Sequence, residues 1–260
     1  MKKKIIILLV LVLNTTLSAK FENEDDTLGN IAIQMGFWNI ATNGTIVNEK
    51  LNGNTNYKND LGYDDNKNIN IFALDLKNDI TWLPNININY FKLNNSSSNI
   101  LTSSRNINNT EINGSISSTL NYSEINTILY GFLYEGPFEF DFGLNIKKID
   151  FLQDIKENNS LALKKVTIIG PSDFIFLPYI ALKINLDFID TVLMAQTSML
   201  SIGDNEAKDY MYSINYRVMK NIYLSYGYKY NSFKTTNSKN TNEIYDVQVK
   251  GNYISCKVLF

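Results

Sequence analysis

Glu139 and Asp141 stand two residues apart, the spacing that puts two side chains on one face of a strand. Two carboxylates that close can divide the roles of general acid and general base, because repulsion separates their proton affinities. The same parity continues through Asn145 and Lys147, and further cations fall at Lys183, Arg217 and Lys229. Charges of both signs on inward faces neutralise one another without any chemistry, so a structural ion-pair network is preferred over catalysis. The network is expected to comprise Glu139, Asp141, Asn145, Lys147, Lys183, Asn215, Arg217 and Lys229.

Other chemistry is sparse. The chain has no histidine and one cysteine, Cys256. Imidazole catalysis, histidine-ligated metals and cysteine-rich zinc sites are therefore closed to it, as is an intramolecular disulfide. Asp64, Asp65 and Asn66, and the run from Glu22 to Asp26, offer oxygens to calcium without the spacing of a calcium loop. No glycine-rich phosphate loop occurs. Cys256 reads as a small apolar filler. The net charge of −2 provides no basic face for nucleic acid. The expectation is a protein that is not an enzyme, with no catalytic residues, metal or cofactor.

The elements that position the charges read as strands. Phe138, Phe140, Phe142, Leu144 and Ile146 alternate with Glu139, Asp141, Gly143, Asn145 and Lys147. Tyr210, Tyr212, Ile214, Tyr216 and Val218 alternate with Met211, Ser213, Asn215 and Arg217, and Ile222 to Phe233 repeats the pattern. Strands are predicted over 29–39, 68–77, 85–94, 117–133, 137–152, 174–186, 189–202, 208–218, 221–233 and 244–260, about ten in a range of eight to twelve. Short turns fall at Trp82-Leu83-Pro84-Asn85, Glu135-Gly136-Pro137, Leu186-Asp187 and Met219-Lys220-Asn221. Longer polar stretches at 40–67, 96–116, 153–173 and 234–243 are predicted to be mobile, exposed loops.

Residues 1–19 carry Lys2-Lys3-Lys4, then an apolar run from Ile5 to Leu13, then a small-residue stretch ending at Ala19. That is the form of a cleaved export signal, and the run is shorter than the roughly 20 residues a spanning helix needs. If residues 20–260 cross a membrane, they do so as a closed barrel. The fold class expected is therefore all-β: a closed, antiparallel, up-and-down transmembrane barrel with its Tyr- and Phe-rich face toward lipid. A soluble carrier would keep the barrel and invert the faces.

The chain ends Tyr253-Ile254-Ser255-Cys256-Lys257-Val258-Leu259-Phe260. Ile254, Cys256, Val258 and Phe260 share a face and resemble the carboxy-terminal signal by which bacterial outer-membrane proteins are recognised for assembly. Together with the export signal, the early Gly36-Phe37-Trp38-Asn39 strand and the Trp82-Leu83-Pro84-Asn85 turn, the chain resembles a family of proteobacterial outer-membrane β-barrel proteins without assigned activity. The resemblance implies the outer membrane as location, its lipid bilayer as surroundings, and the barrel-assembly machinery and periplasmic chaperones as partners during biogenesis. It brings no catalytic residues. The function expected is structural or surface-interacting, with a polar lumen filled by side chains. The alternative is a narrow channel for small polar solutes, with Gly36, Gly143, Gly227 and Ala181 as the small residues that leave a water path.

Overall fold

A strand with two different faces needs a partner on each edge, and a ring gives every strand two partners without an open edge. The computed structural model describes residues 31–48, 53–63, 66–78, 83–134, 137–158, 164–170, 174–186, 189, 191–202, 205–236 and 243–260. Its strands are β1 (Ile31–Asn48), β2 (Gly53–Asn56), β3 (Lys67–Leu76), β4 (Asn85–Ile107), β5 (Thr110–Tyr134), β6 (Phe138–Glu157), β7 (Lys165–Ile169), β8 (Phe174–Leu186), β9 (Thr191–Ile202), β10 (Asn205–Met219), β11 (Ile222–Thr236) and β12 (Glu243–Leu259). Ten of these form the ring, each antiparallel to the next in chain order, and β12 pairs with β1 to close it. β2 and β7 are short additions on β1 and β6. Each ring strand overlaps one of the ten predicted from alternation. The export segment and the acidic run Glu22–Asp26 lie outside the described residues, as do Asp64 and Asp65.

The outward face over one stretch of the barrel is a belt of large apolar side chains. Phe138, Phe140, Phe142 and Leu144 are exposed on β6, Phe176, Ile180 and Leu182 on β8, Tyr212, Ile214 and Tyr216 on β10, and Leu224, Tyr226 and Tyr228 on β11. Asp141, Asn145 and Lys147 alternate with the β6 row and are buried inside. The belt faces outward and the charges inward, so the inverted arrangement of a soluble carrier does not hold.

Two expectations fail here. Residues 96–116 are not a loop: β4 and β5 continue through them as a paired ribbon turning at Asn108 and Asn109. Both asparagines have positive φ, 49° and 59°, the geometry of a two-residue type I′ hairpin turn that Asn tolerates better than most residues. β1 likewise runs to Asn48 and β6 to Glu157, into stretches read from sequence as loops. A barrel strand crosses a bilayer in about 9–11 residues, so the 23 of β4 and 25 of β5 carry the wall well beyond it. Second, the small residues do not line a water path. A Cβ on Gly143 would stand 2.0 Å from the Leu129 carbonyl oxygen, and Gly36 and Gly227 abut neighbouring backbone in the same way. Ala181 is packed with Ile128, Tyr130 and Tyr179.

Candidate functional site

The lumen is layered along its axis. Nearest the short-turn end, Lys183 on β8 makes ion pairs with Glu139 and, at 2.8 Å, with Asp141 Oδ2, both on β6. Lys183 Nζ also lies 5.6 Å from the centre of the Tyr130 ring. Tyr130 donates to Asp75 Oδ1 at 2.9 Å, and Lys257 stands 3.6 Å from Asp75 Oδ2. These groups surround a cavity of about 320 Å³, which Gln34, Asn87, Asn89, Gln196 and Asn215 also line.

The second layer is buried and neutral. Lys147 Nζ lies 2.5 Å from Asp209 Oδ1 and 3.2 Å from Glu124 Oε1. Glu124 also accepts from Tyr122 at 2.7 Å and from Asn126 and Asn231, each at 2.5 Å. Asn145 donates to Asp209 at 3.4 Å. Lys229 sits above the Trp38 and Phe91 rings, 5.3 and 5.2 Å from their centres. Two carboxylates and two ammonium groups thus share one water-poor layer, where each charge depends on the others.

Above it the lumen is apolar. Trp38, Ile40, Phe91, Leu93, Ile112, Ile116, Leu120, Ile149, Phe151 and Ile155 point inward and are all but excluded from solvent. The Trp38 and Phe91 rings meet edge to face at 5.1 Å, and Phe91 continues to Tyr122 at 5.7 Å. Residues 57–63 turn inward beneath the β4–β5 ribbon and add Tyr57, Leu61 and Tyr63. Tyr57 donates to Gln153 at 2.9 Å, and the Tyr63 and Ser118 hydroxyls are 2.6 Å apart. Burial pushes the Tyr63 phenol up to about 12 and raises Tyr57 as well. The ribbon is fastened over this plug. Arg105 pairs with Asp60 at 2.9 Å, and Asn108 N–H donates to Glu243 Oε1 at 2.5 Å. The expectation of a polar lumen therefore holds for one half of the barrel and is corrected for the other.

The residues read as one network fall into two clusters and two outliers. Glu139, Asp141 and Lys183 meet at the cavity. Asn145, Lys147 and Lys229 belong to the layer above. Asn215 lines the cavity and donates to Ser213 at 3.0 Å and to the Val192 carbonyl at 3.1 Å. Arg217 is exposed near the end of β10. The acids that balance them, Asp75, Glu124 and Asp209, did not emerge from the sequence. Each sits at inward parity on a predicted strand, and an inward acid opposite an unmatched inward lysine was the available signal. Among the described residues no cluster of side chains suits a metal ion.

Ile254 and Phe260 face outward, with Cys256 and Val258 partly covered between them. The Phe260 N–H donates to the Ile31 carbonyl at 2.9 Å, so the last residue is fixed at the seam that closes the ring. Gly251 marks a close approach of β12 to β1 without register shift. A Cβ there would lie 1.8 Å from the Asn39 carbonyl oxygen, and the Gly251 carbonyl accepts from Trp38 at 3.0 Å.

Comparison of the structure with solved proteins gives the outer membrane protease OmpT from Escherichia coli, with a TM-score of 0.58, 10% identity, and 91% of this chain and 99% of that chain covered. The fold is that of an outer-membrane β-barrel. The translocator domain of the autotransporter NalP from Neisseria meningitidis aligns at a TM-score of 0.44, with 11% identity over 97% of this chain and 95% of that one. The transport unit of the autotransporter AIDA-I from Escherichia coli aligns at 0.45, with 10% identity over 95% and 97%. No family model and no curated protein matches the sequence. The apolar belt is the surface that such a barrel presents to the lipid of a bacterial outer membrane. In barrels of this kind short turns face the periplasm and the longer connections face outward.

Proposed function

We propose that the chain is a closed, non-conducting barrel with a structural or surface-interaction role, which anchors a tall β-wall in the outer membrane. The observation that carries this reading is the plug: Trp38, Phe91, Leu93, Tyr57 and their neighbours fill the outer half of the lumen with apolar atoms. Ten-stranded barrels lie near the size at which side chains fill the interior, far from the 16 or more strands of a porin. The ribbon clasp at Glu243 and the Arg105–Asp60 pair hold the plug's outer cover in place. The wall outside the membrane presents Ser96, Ser98, Thr102 and Ser104 to water, a polar surface suited to contact with other molecules.

The reading includes no catalytic role. Glu139 and Asp141 both engage Lys183, which leaves no free acid–base pair. Protease activity belongs to the Escherichia coli protein, and 10% identity carries its fold and not its chemistry. During biogenesis the final strand, with Phe260 at its end, is what the barrel-assembly machinery would recognise.

Single-channel recording in planar bilayers tests the reading. The purified, heat-modifiable barrel is expected to give no steps above the lipid baseline. Steady ionic conductance would overturn it and favour the narrow-channel alternative.

A further inference from the structure

We propose that the periplasm-facing cavity binds a small organic ligand through an ammonium or guanidinium group, with Asp141 as the receiving carboxylate. Asp141 is 1% exposed and lines the cavity. Lys183 forms an ion pair with its Oδ2 at 2.8 Å, but neither carboxylate oxygen has a hydrogen-bond partner. A buried anionic oxygen without a donor is unfavourable, and a charged N–H donor is its best complement. The neighbouring cations are already engaged: Lys183 bridges Glu139 and Asp141, and Lys257 faces Asp75. Lys77 at the rim is exposed, where water and salt screen it.

The space and lining fit a small molecule and not a bare ion. At about 320 Å³ the cavity lies within the range of small-ligand sites. Its walls carry amide side chains, Gln34, Asn87 and Gln196 among them, which can donate or accept along the rest of a ligand. Among the described residues no group of three or more Asp, Glu or Cys side chains is placed to hold a metal ion. The cavity extends toward a second space of about 20 Å³ at Asp209 and Lys229, and the apolar plug lies beyond. The inference goes beyond the closed-barrel reading and does not depend on it, because Asp141 lines the same cavity whether or not the outer half of the barrel conducts.

Four compounds of equal chain length provide the test: 1,4-diaminobutane, 4-aminobutanoate, 1,4-butanediol and succinate. Each is titrated calorimetrically into the full-length folded barrel in detergent micelles. At least one of the two ammonium compounds is expected to saturate, with the diol and succinate at least about tenfold weaker. Asp141→Asn should weaken the binding at least about tenfold, and Asp154→Asn, on the extramembrane wall, should not. The proposal is overturned if neither ammonium compound saturates, if the diol or succinate binds as well as the better of them, or if folded Asp141→Asn binds unchanged. The compound series on the unsubstituted protein decides by itself should Asp141→Asn fail to fold.

Discussion

On β6, Lys147 and Phe151 lie on the same inward face two periods of the alternation apart, yet one belongs to a charged layer and the other to an apolar core. The outward face changes in the opposite sense: Phe140 and Phe142 are exposed lower on the strand, Asp150 and Lys156 higher up. The period of two never breaks, but its polarity inverts. The physical cause is the change of solvent. Where lipid surrounds the wall, apolar side chains face out and the lumen takes the polar ones. Where water surrounds it, the interior must hold the apolar groups, as in any soluble core.

The two halves should respond differently to substitution. Lys147→Met leaves Glu124 and Asp209 buried without their shared cation. It should cost about 3–5 kcal/mol, the range for breaking a buried pair, read as a fall in the urea midpoint of the barrel refolded in liposomes. A change within the uncertainty of the measurement would mean that water reaches this layer. On the belt, Tyr212→Lys should cost about 2–4 kcal/mol near the bilayer midplane and reduce assembly yield. Normal yield would show that the belt is misplaced.

The plug has a pH signature of its own. Tyr63 lies outside the membrane-spanning stretches, and its pKa is raised to about 12, above the ordinary value of 10.0. The neutral phenol is favoured in the folded state, so its contribution is intact below about pH 10 and is lost as the pH rises toward 12. Tyr63 should contribute up to about 1.4 kcal/mol per pH unit to the fall in stability over that window, and Tyr63→Phe should reduce the slope by that amount while the Tyr57 share remains. Ultraviolet difference titration against Tyr63→Phe should show the Tyr63 phenol ionising near pH 12. Ionisation of that phenol at its ordinary value of 10.0 would contradict a dry plug. The smallest expected effect is at the ribbon tip. Asn109→Val forces a β-branched residue into positive φ and should cost about 1–2 kcal/mol, whereas Asn109→Gly should be close to neutral. Equal effects of the two would place the tip in another conformation.

The same inversion explains what could be read from the residues. The belt segments of β6, β8, β10 and β11 were legible because Tyr, Phe and Ile alternate with polar residues over a full bilayer crossing. The β4–β5 ribbon was not, because Ser96, Ser97, Ser98 and Asn99 interrupt the apolar rhythm. Its inward anchors Leu93, Leu101, Ile107 and Ile112 are widely spaced. Strand propensity is weak there, and pairing across the hairpin supplies what propensity does not. At the site, the lysines were legible from parity. Their acids were harder to see: Asp209 sits near a strand end, and Glu124 lies where apolar residues occupy both faces of β5.

Thiol labelling from solution tests the layered lumen most directly. In a Cys256→Ser background, the full-length barrel carries a single new cysteine, either Asn215→Cys in the cavity or Leu93→Cys in the plug. Each folded variant in micelles is treated with a charged maleimide. Asn215→Cys should react readily and Leu93→Cys only after denaturation in urea. Equal reaction rates in the folded barrel would show that water fills the outer half of the lumen, and the closed-barrel account would fail.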